Sequence, residues 1–301
     1  MNIDLSSFLI LDGGMGTMLQ AQGLQPGGIP ELWNLEHPEK ITAIHRAYVE
    51  AGADAVYTNT FGCNRLKMVR TGHSAEELIK SAIKNARASG AKYVALDIGP
   101  IGQMLEPTGT LKFEEAYDIY REQVEAAGDD VDFYIFETMS DLQEVRAGVL
   151  AAKEHVNKPI FVTMSFEANG RTFTGCEVPA AALTLEGLGI DAIGVNCSLG
   201  PKELLPIIEE ISHWTHLPLV AKANAGLPDP MTNEYNVDAD EFAETAVRFA
   251  DMGVKILGGC CGTSPEYISA LKKLLDGRKF TPREEEITGG RNIPTAVCSY
   301  S

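Results

Sequence analysis

The sequence predicts a (β/α)8 barrel of the TIM type, a single α/β domain, and three observations lead to it. Short β-branched runs alternate with longer amphipathic stretches from one end of the chain to the other. Eight such units in about 275 residues suit a closed parallel barrel better than two separate domains. The residues that close the strands are polar or rich in glycine and cysteine, and that is the end of a barrel where chemistry resides. An open doubly wound sheet is the alternative arrangement of the same units.

The strands are expected at Phe8 to Leu11, Ala55 to Thr60, Tyr93 to Asp97, Phe133 to Glu137, Ile160 to Ser165, Ala192 to Asn196, Leu217 to Ala221 and Lys255 to Leu257. Between them, Pro38 to Ala51 reads as a helix: it begins in Pro and Glu, carries Ile41, Ile44, Tyr48 and Val49 at helical spacing, and stops at Gly52. Further helices are expected at Ala75 to Ala88, Lys112 to Ala127, Ser140 to His155, Pro179 to Leu188, Pro201 to Trp214, Asp238 to Met252 and Ser264 to Leu275, each with an apolar stripe. The barrel therefore occupies residues 1–277. Arg278 to Ser301 mixes Pro, Gly and charge without periodicity and reads as a tail or linker outside it.

With 42 acidic and 25 basic residues the net charge is -17, which repels phosphate-rich and anionic partners over most of the surface. Neither nucleic acid nor a membrane is expected as a partner. Met1 to Ser7 is short and polar and the apolar run after it brief, so no signal peptide or spanning helix is expected and the location is expected to be cytoplasmic. In a reducing compartment, clustered cysteines read as metal-binding or catalytic rather than as a disulfide framework.

The strand ends read Asp12-Gly13-Gly14-Met15-Gly16, Thr58-Asn59-Thr60, Asp97-Ile98-Gly99-Pro100, Glu137-Thr138, Asn196-Cys197, Asn224-Ala225-Gly226 and Gly258-Gly259-Cys260-Cys261-Gly262. Cys197 lies two strands before the adjacent pair Cys260 and Cys261, near it in a closed ring. Three thiolates converging from neighbouring loops leave the fourth corner of a tetrahedron open, as a catalytic zinc site requires. The spacing equally admits a buried small hydrophobe beside an incidental pair, because adjacent cysteines are no standard zinc signature. Cys63, Cys176 and Cys298 have no partner pattern and read as packing or surface residues. The loop at Gly13 and Gly14 lacks phosphate-binding spacing, and Asp12 repels an anion. It reads as a tight turn that brings amides near a small ligand, or as a plain βα turn. Asp12 and Glu137 are placed to bind an ammonium group or to orient loops. His37, His45, His73, His155, His213 and His216 fall in helices or connecting loops, form no set and read as solvated. There is no Ser/His/Asp pattern, Walker loop or nicotinamide fingerprint.

Taken together, LDGGMGT at 11–17, TNTFGCN at 58–64, DIGP at 97–100, FET at 136–138, GVNCS at 194–198, ANAGLP at 223–228 and GGCCGTSPE at 258–266 resemble the homocysteine S-methyltransferase family over nearly the whole barrel. The combination is most similar to the homocysteine-binding module of its cobalamin-dependent, methionine-forming branch, more than to the betaine or S-methylmethionine branches. The resemblance implies that Cys197, Cys260 and Cys261 bind zinc, with the substrate sulfur in the open position. It also implies that Asp12 and Glu137 receive the amino group of homocysteine, while Asn224 and the backbone of Gly13 and Gly14 position the amino acid. Thr60, Asn64 and Asp97 face the same rim.

The methyl donor implied is methylcobalamin, carried on another module or a separate corrinoid protein, since nothing in this sequence resembles a cobalamin-binding motif. IPTAVCSYS at the end resembles the segment leading into a second, folate-binding barrel. Three rival readings remain at this point. One is a stand-alone enzyme using S-methylmethionine or a betaine, separated by donor assays. Another is a zinc or thiol carrier that binds but never turns over. The last is a structural zinc site, whose coordination homocysteine leaves unchanged.

Overall fold

The computed structural model describes residues 3–229, 231–232 and 235–283, with the backbone of 293–294 and 299–300. All eight expected strands are present and parallel: β1 Leu9–Ile10, β2 Ala55–Tyr57, β3 Tyr93–Ile98, β4 Phe133–Met139, β5 Ile160–Met164, β6 Ala192–Asn196, β7 Leu219–Ala223 and β8 Val254–Gly259. They run in the order β1-β8-β7-β6-β5-β4-β3-β2, and a parallel bridge from Leu11 to Ala55 joins the two ends. The sheet is thus a closed ring, the (β/α)8 barrel. Nearly every strand residue is buried, because helices cover the outside and side chains fill the inside.

Alternation along each strand sorts those side chains into two layers. Leu9, Tyr57, Phe133, Ile135, Phe161 and Ile256 belong to the cluster that fills the barrel, with the Phe133 and Phe161 rings 4.6 Å apart. Their neighbours face outward to α3 Pro38–Glu50, α5 Ala75–Arg87, α6 Phe113–Ala127, α7 Leu142–His155, α8 Val178–Gly187, α9 Pro201–Ser212, α10 Ala239–Asp251 and α11 Pro265–Leu275. The expected helix starts at Lys112, Asp238 and Ser264 are caps with extended backbone. At Asp238 the carboxylate accepts from Glu241 N, as an N-cap does. Three short helices, α1 Met15–Ala21, α2 Trp33–Glu36 and α4 Arg65–Met68, add one or two turns each in the rim loops.

One expectation is overturned. His45 is fully buried on α3, with neither ring nitrogen hydrogen-bonded among the described residues. It occupies the place of an apolar residue: Ile41, Ile44, His45 and Tyr48 form one helical stripe, and Val49 is only half-buried. Burial pulls its imidazole down to about 4. The unfolded chain therefore binds a proton that the folded one refuses. This favours folding fully above the ordinary histidine range and is lost as pH falls toward 4. Stability is expected to drop by about 2 kcal/mol between pH 7 and 5 through this group. Urea midpoints of wild type and His45→Leu at the two pH values test it; an unchanged acid slope in the variant refutes it.

Of the segment expected as a tail, residues 278–283 lie against the base of the barrel. Phe280 meets Phe8 edge-on at 5.8 Å, and the Arg283 guanidinium donates to the Ser212 and Leu217 carbonyls at 3.0 and 2.6 Å. Cys298 lies outside the described residues. No described helix is long and apolar enough to cross a membrane.

Candidate metal and thiol site

At the carboxyl end of the barrel the loops after β6 and β8 bring the sulfurs of Cys197, Cys260 and Cys261 within 4.8 Å of one another. Backbone hydrogen bonds hold both loops in place. Cys197 N donates to Lys222 O at 3.1 Å and Cys260 N to Ala223 O at 2.8 Å, so both cysteine loops hang from β7. Cys261 N donates to Asn224 Oδ1 at 3.1 Å, and Gly262 N to Thr17 Oγ1 at 2.9 Å. Cys197 and Ser198 adopt left-handed φ values of 58° and 60°, and Thr138 facing them has φ 59°. These are the non-glycine residues with positive φ among those described. Their gathering here marks backbone shaped for the site rather than for stability.

The glycine loop after β1 acts by close approach. A Cβ on Gly14 would lie 2.7 Å from Cys260 O, and one on Gly13 2.7 Å from Thr263 Oγ1. Thr263 Oγ1 accepts from Gly14 N and donates to Cys260 O, while Tyr48 Oη lies 3.2 Å from both the Gly14 and Thr263 carbonyls. The first loop is thereby packed onto the cysteine loop.

The sulfurs suit a tetrahedral thiophilic ion. Cys197 Sγ and Cys261 Sγ are 3.7 Å apart, against the edge of about 3.8 Å implied by Zn–S bonds of about 2.3 Å. Asn196 Nδ2 lies 3.8 Å from Cys260 Sγ, an N–H directed at a sulfur that would carry charge. In Cys197 a hydrogen bond from Cys260 draws the thiol down, but one to Cys261 and burial outweigh it and push it up to about 12. In Cys261 the contact with Cys197 lowers the thiol, and Cys260 and burial raise it to about 12. Cys260 is lifted further still by Cys197. A divalent cation held here would take up the three sulfurs as thiolates, since deprotonated sulfur is the form that ligates metal.

Beside the sulfurs lies a charged group that sequence reasoning missed. Lys222, inside β7 in register with Asn196 and Gly258, is 3% exposed. Its Nζ donates to Asp12 Oδ1 at 3.1 Å, sits 3.6 Å from the Tyr57 ring centroid and is 4.0 Å from Glu137 Oε2. Burial would lower this ammonium, but Asp12, Tyr57 and Glu137 lift it well above the lysine range. The other oxygen of Asp12 accepts from Tyr57 N at 2.8 Å. Burial raises the Asp12 carboxyl, and Lys222 and the Tyr57 amide pull against that rise. Glu137 sits at a register shift between β4 and β5, an irregularity of the kind that re-aims side chains. Burial raises it, Lys222 lowers it, and Asn196 Nδ2 is a long 3.4 Å away.

Asp97 points into the same interior. Burial first and Glu137 second hold its carboxyl well above the usual range, and its Oδ1 has no partner among the described residues. Thr60 Oγ1 donates to Asp97 O, and Asn64 caps α4, so these two brace loops. Cys63 and Cys176 are buried outside the trio, their sulfurs donating to the carbonyls of Ala75 and Glu177.

Comparison with known proteins follows the same lines. The family model for homocysteine S-methyltransferase matches residues 9–275. The chain is 33% identical to methionine synthase of Mycobacterium leprae over 92% of its length, and 34% identical to that of Mycobacterium tuberculosis over 86%. It spans about a quarter of those relatives, 25% and 24%. Among solved structures, the metallated form of the homocysteine methyltransferase MmuM from Escherichia coli superposes with a TM-score of 0.77 at 24% identity, covering 89% of this chain and 96% of that one. The carboxyl transferase domain of Rhizobium etli pyruvate carboxylase reaches 0.56 at 14% identity, over 91% of this chain and 44% of that domain. Both are likenesses of fold.

Proposed function

The chain belongs to the homocysteine S-methyltransferase family, and from that premise we propose that it methylates the sulfur of homocysteine, forming methionine, at a zinc ion held by Cys197, Cys260 and Cys261. The observation that carries the reading is the convergence of three sulfurs within 4.8 Å at the mouth of the barrel, with carboxylate groups beside them. A free thiol near pKa ~8.5 is mostly protonated at neutral pH and a poor nucleophile. Zinc, when bound, supplies the missing acidity and keeps the substrate sulfur an electron-rich thiolate.

The protein's own residues do the rest. Glu137, largely buried but less so than Asp12, receives the substrate's ammonium group. Asn196 directs an N–H toward Cys260 and offsets its charge. Asn224, Thr17 and Thr263 fix the backbone of the cysteine loop, so that the sulfurs hold their geometry while the substrate comes and goes. The Gly13 and Gly14 turn keeps the first loop close enough to border the amino-acid pocket.

The donor we infer is methylcobalamin carried by a corrinoid protein or module. Five of the seven large exposed apolar side chains among the described residues, Phe61, Met104, Phe173, Leu227 and Met231, stand on loops at the carboxyl rim. An apolar fringe around the rim suits a docked body better than a small donor, which calls for a concave pocket that closes around it. Methionine formation from homocysteine by the zinc-loaded chain, with methylcobalamin, S-methylmethionine and betaine each supplied alone, tests the reading. Turnover with methylcobalamin is expected; turnover confined to a small donor overturns the donor assignment, and none with any donor overturns the activity.

A further inference from the structure

Two carboxylates flank the sulfur site, and the structure does not treat them alike. Asp12 has both oxygens engaged, one by Tyr57 N at 2.8 Å and one by Lys222 Nζ at 3.1 Å, and both members of the ion pair have side chains 3% exposed. Glu137 is 12% exposed, lies 4.0 Å from the same ammonium and has its nearest side-chain donor, Asn196 Nδ2, at 3.4 Å. A carboxylate offers about four acceptor positions; Asp12 has a firm bond on each oxygen and is nearly closed off from solvent, whereas Glu137 has one long contact and the greater exposure, so Glu137 has the more acceptor capacity within reach of a substrate.

We propose that Lys222 is a specificity-determining positioning residue: it fills the ammonium place at Asp12 with a tethered cation and leaves Glu137 as the carboxylate that recognises the substrate's α-ammonium. This rests on homocysteine being the thiol substrate. A tethered ammonium acts at the high effective concentration of an intramolecular group, and a free amino acid at cellular concentration does not displace it. The Tyr57 ring, 3.6 Å from Nζ, backs the lysine on its other side, so leaving Asp12 would also forfeit a buried cation–π contact. The assignment gives Lys222 a role that acts through Asp12, with no contact to the reacting sulfur.

The test is calorimetric binding of L-homocysteine and of its des-amino counterpart, 4-mercaptobutanoate, to the zinc-loaded full chain and its variants. Wild type is expected to prefer homocysteine. Glu137→Gln should weaken homocysteine by roughly tenfold to a hundredfold, the worth of a charge-assisted hydrogen bond, and leave 4-mercaptobutanoate within about twofold. Asp12→Asn combined with Lys222→Met removes both halves of the pair without stranding a charge. It should shift the two thiols together and preserve the preference, and Lys222→Arg should resemble wild type. Lys222→Ala, which empties the space beside Asp12 that Met would fill, should let the preference for the amino thiol grow, a change that a purely structural lysine does not produce.

A preference lost in the double variant assigns the ammonium to Asp12 and overturns the proposal, as does one unaltered by Glu137→Gln. If wild-type zinc protein binds neither thiol, the homocysteine reading falls and this inference falls with it. Binding with the wrong pattern removes the inference alone.

Discussion

Replacement of Cys260 by serine is expected to abolish zinc retention and methionine formation together, while the barrel stays folded. A serine hydroxyl fills nearly the same volume but does not ionise to replace a thiolate, so one of three anionic ligands is lost and with it the shared grip on the ion. Cys260 is the proposed ligand with the most support: its N–H is bound to Ala223 O, its carbonyl receives Thr263 Oγ1, and Asn196 Nδ2 faces its sulfur. Loss of activity by more than a hundredfold is expected, since disturbance even of groups that merely support a metal ligand costs about 10–100-fold. Metal analysis after dialysis against a chelator, alongside circular dichroism, checks it. A variant that keeps zinc and turns over normally would sink the thiolate mechanism.

The second large effect concerns stability. Lys222→Met leaves the Asp12 carboxylate buried against an apolar side chain, and breaking a buried pair on one side costs about 3–5 kcal/mol. Adding Asp12→Asn should recover most of that loss, because the amide still accepts from Tyr57 N and no charge is stranded. Chemical denaturation of the two variants against wild type measures both steps. If the single variant is as stable as wild type, water reaches Asp12 and the pair is not the closed unit described.

Most of the barrel was legible because its strands are buried on both faces and so read as uninterrupted apolar runs, each ending in a polar or glycine-rich turn. The convergence of the three cysteines was legible from where strands six and eight stop, since a closed ring brings those ends together, but spacing left a metal site and an incidental pair equally open, and the family resemblance decided between them. Lys222 was not. The expected seventh strand ended at Ala221, just before this residue and two short of the observed end at Ala223, so Lys222 was not counted among the strand-end groups. Only tertiary folding supplies its partner Asp12, 210 residues away. His45 misled for the opposite reason. Its residue type suggested solvent, yet position 45 completes the buried stripe of Ile41, Ile44 and Tyr48, and position outweighed type. The left-handed turn at Cys197 and Ser198 carries no glycine signal and is visible in the fold alone.

The placement of the sulfurs also bears on the chain as a polymer. Cys197 and Cys261 are 64 residues apart, and the polypeptide between them includes the ninth helix, the seventh strand and the tenth helix. An ion gripping both ends closes that stretch into a loop as a covalent staple does. On the chain-entropy estimate for a closed loop of this length, the constraint is worth about 4 kcal/mol. A metal held there would double as a fastener, so that on the proposed function scarcity of zinc would loosen about a quarter of the barrel as well as silence its chemistry.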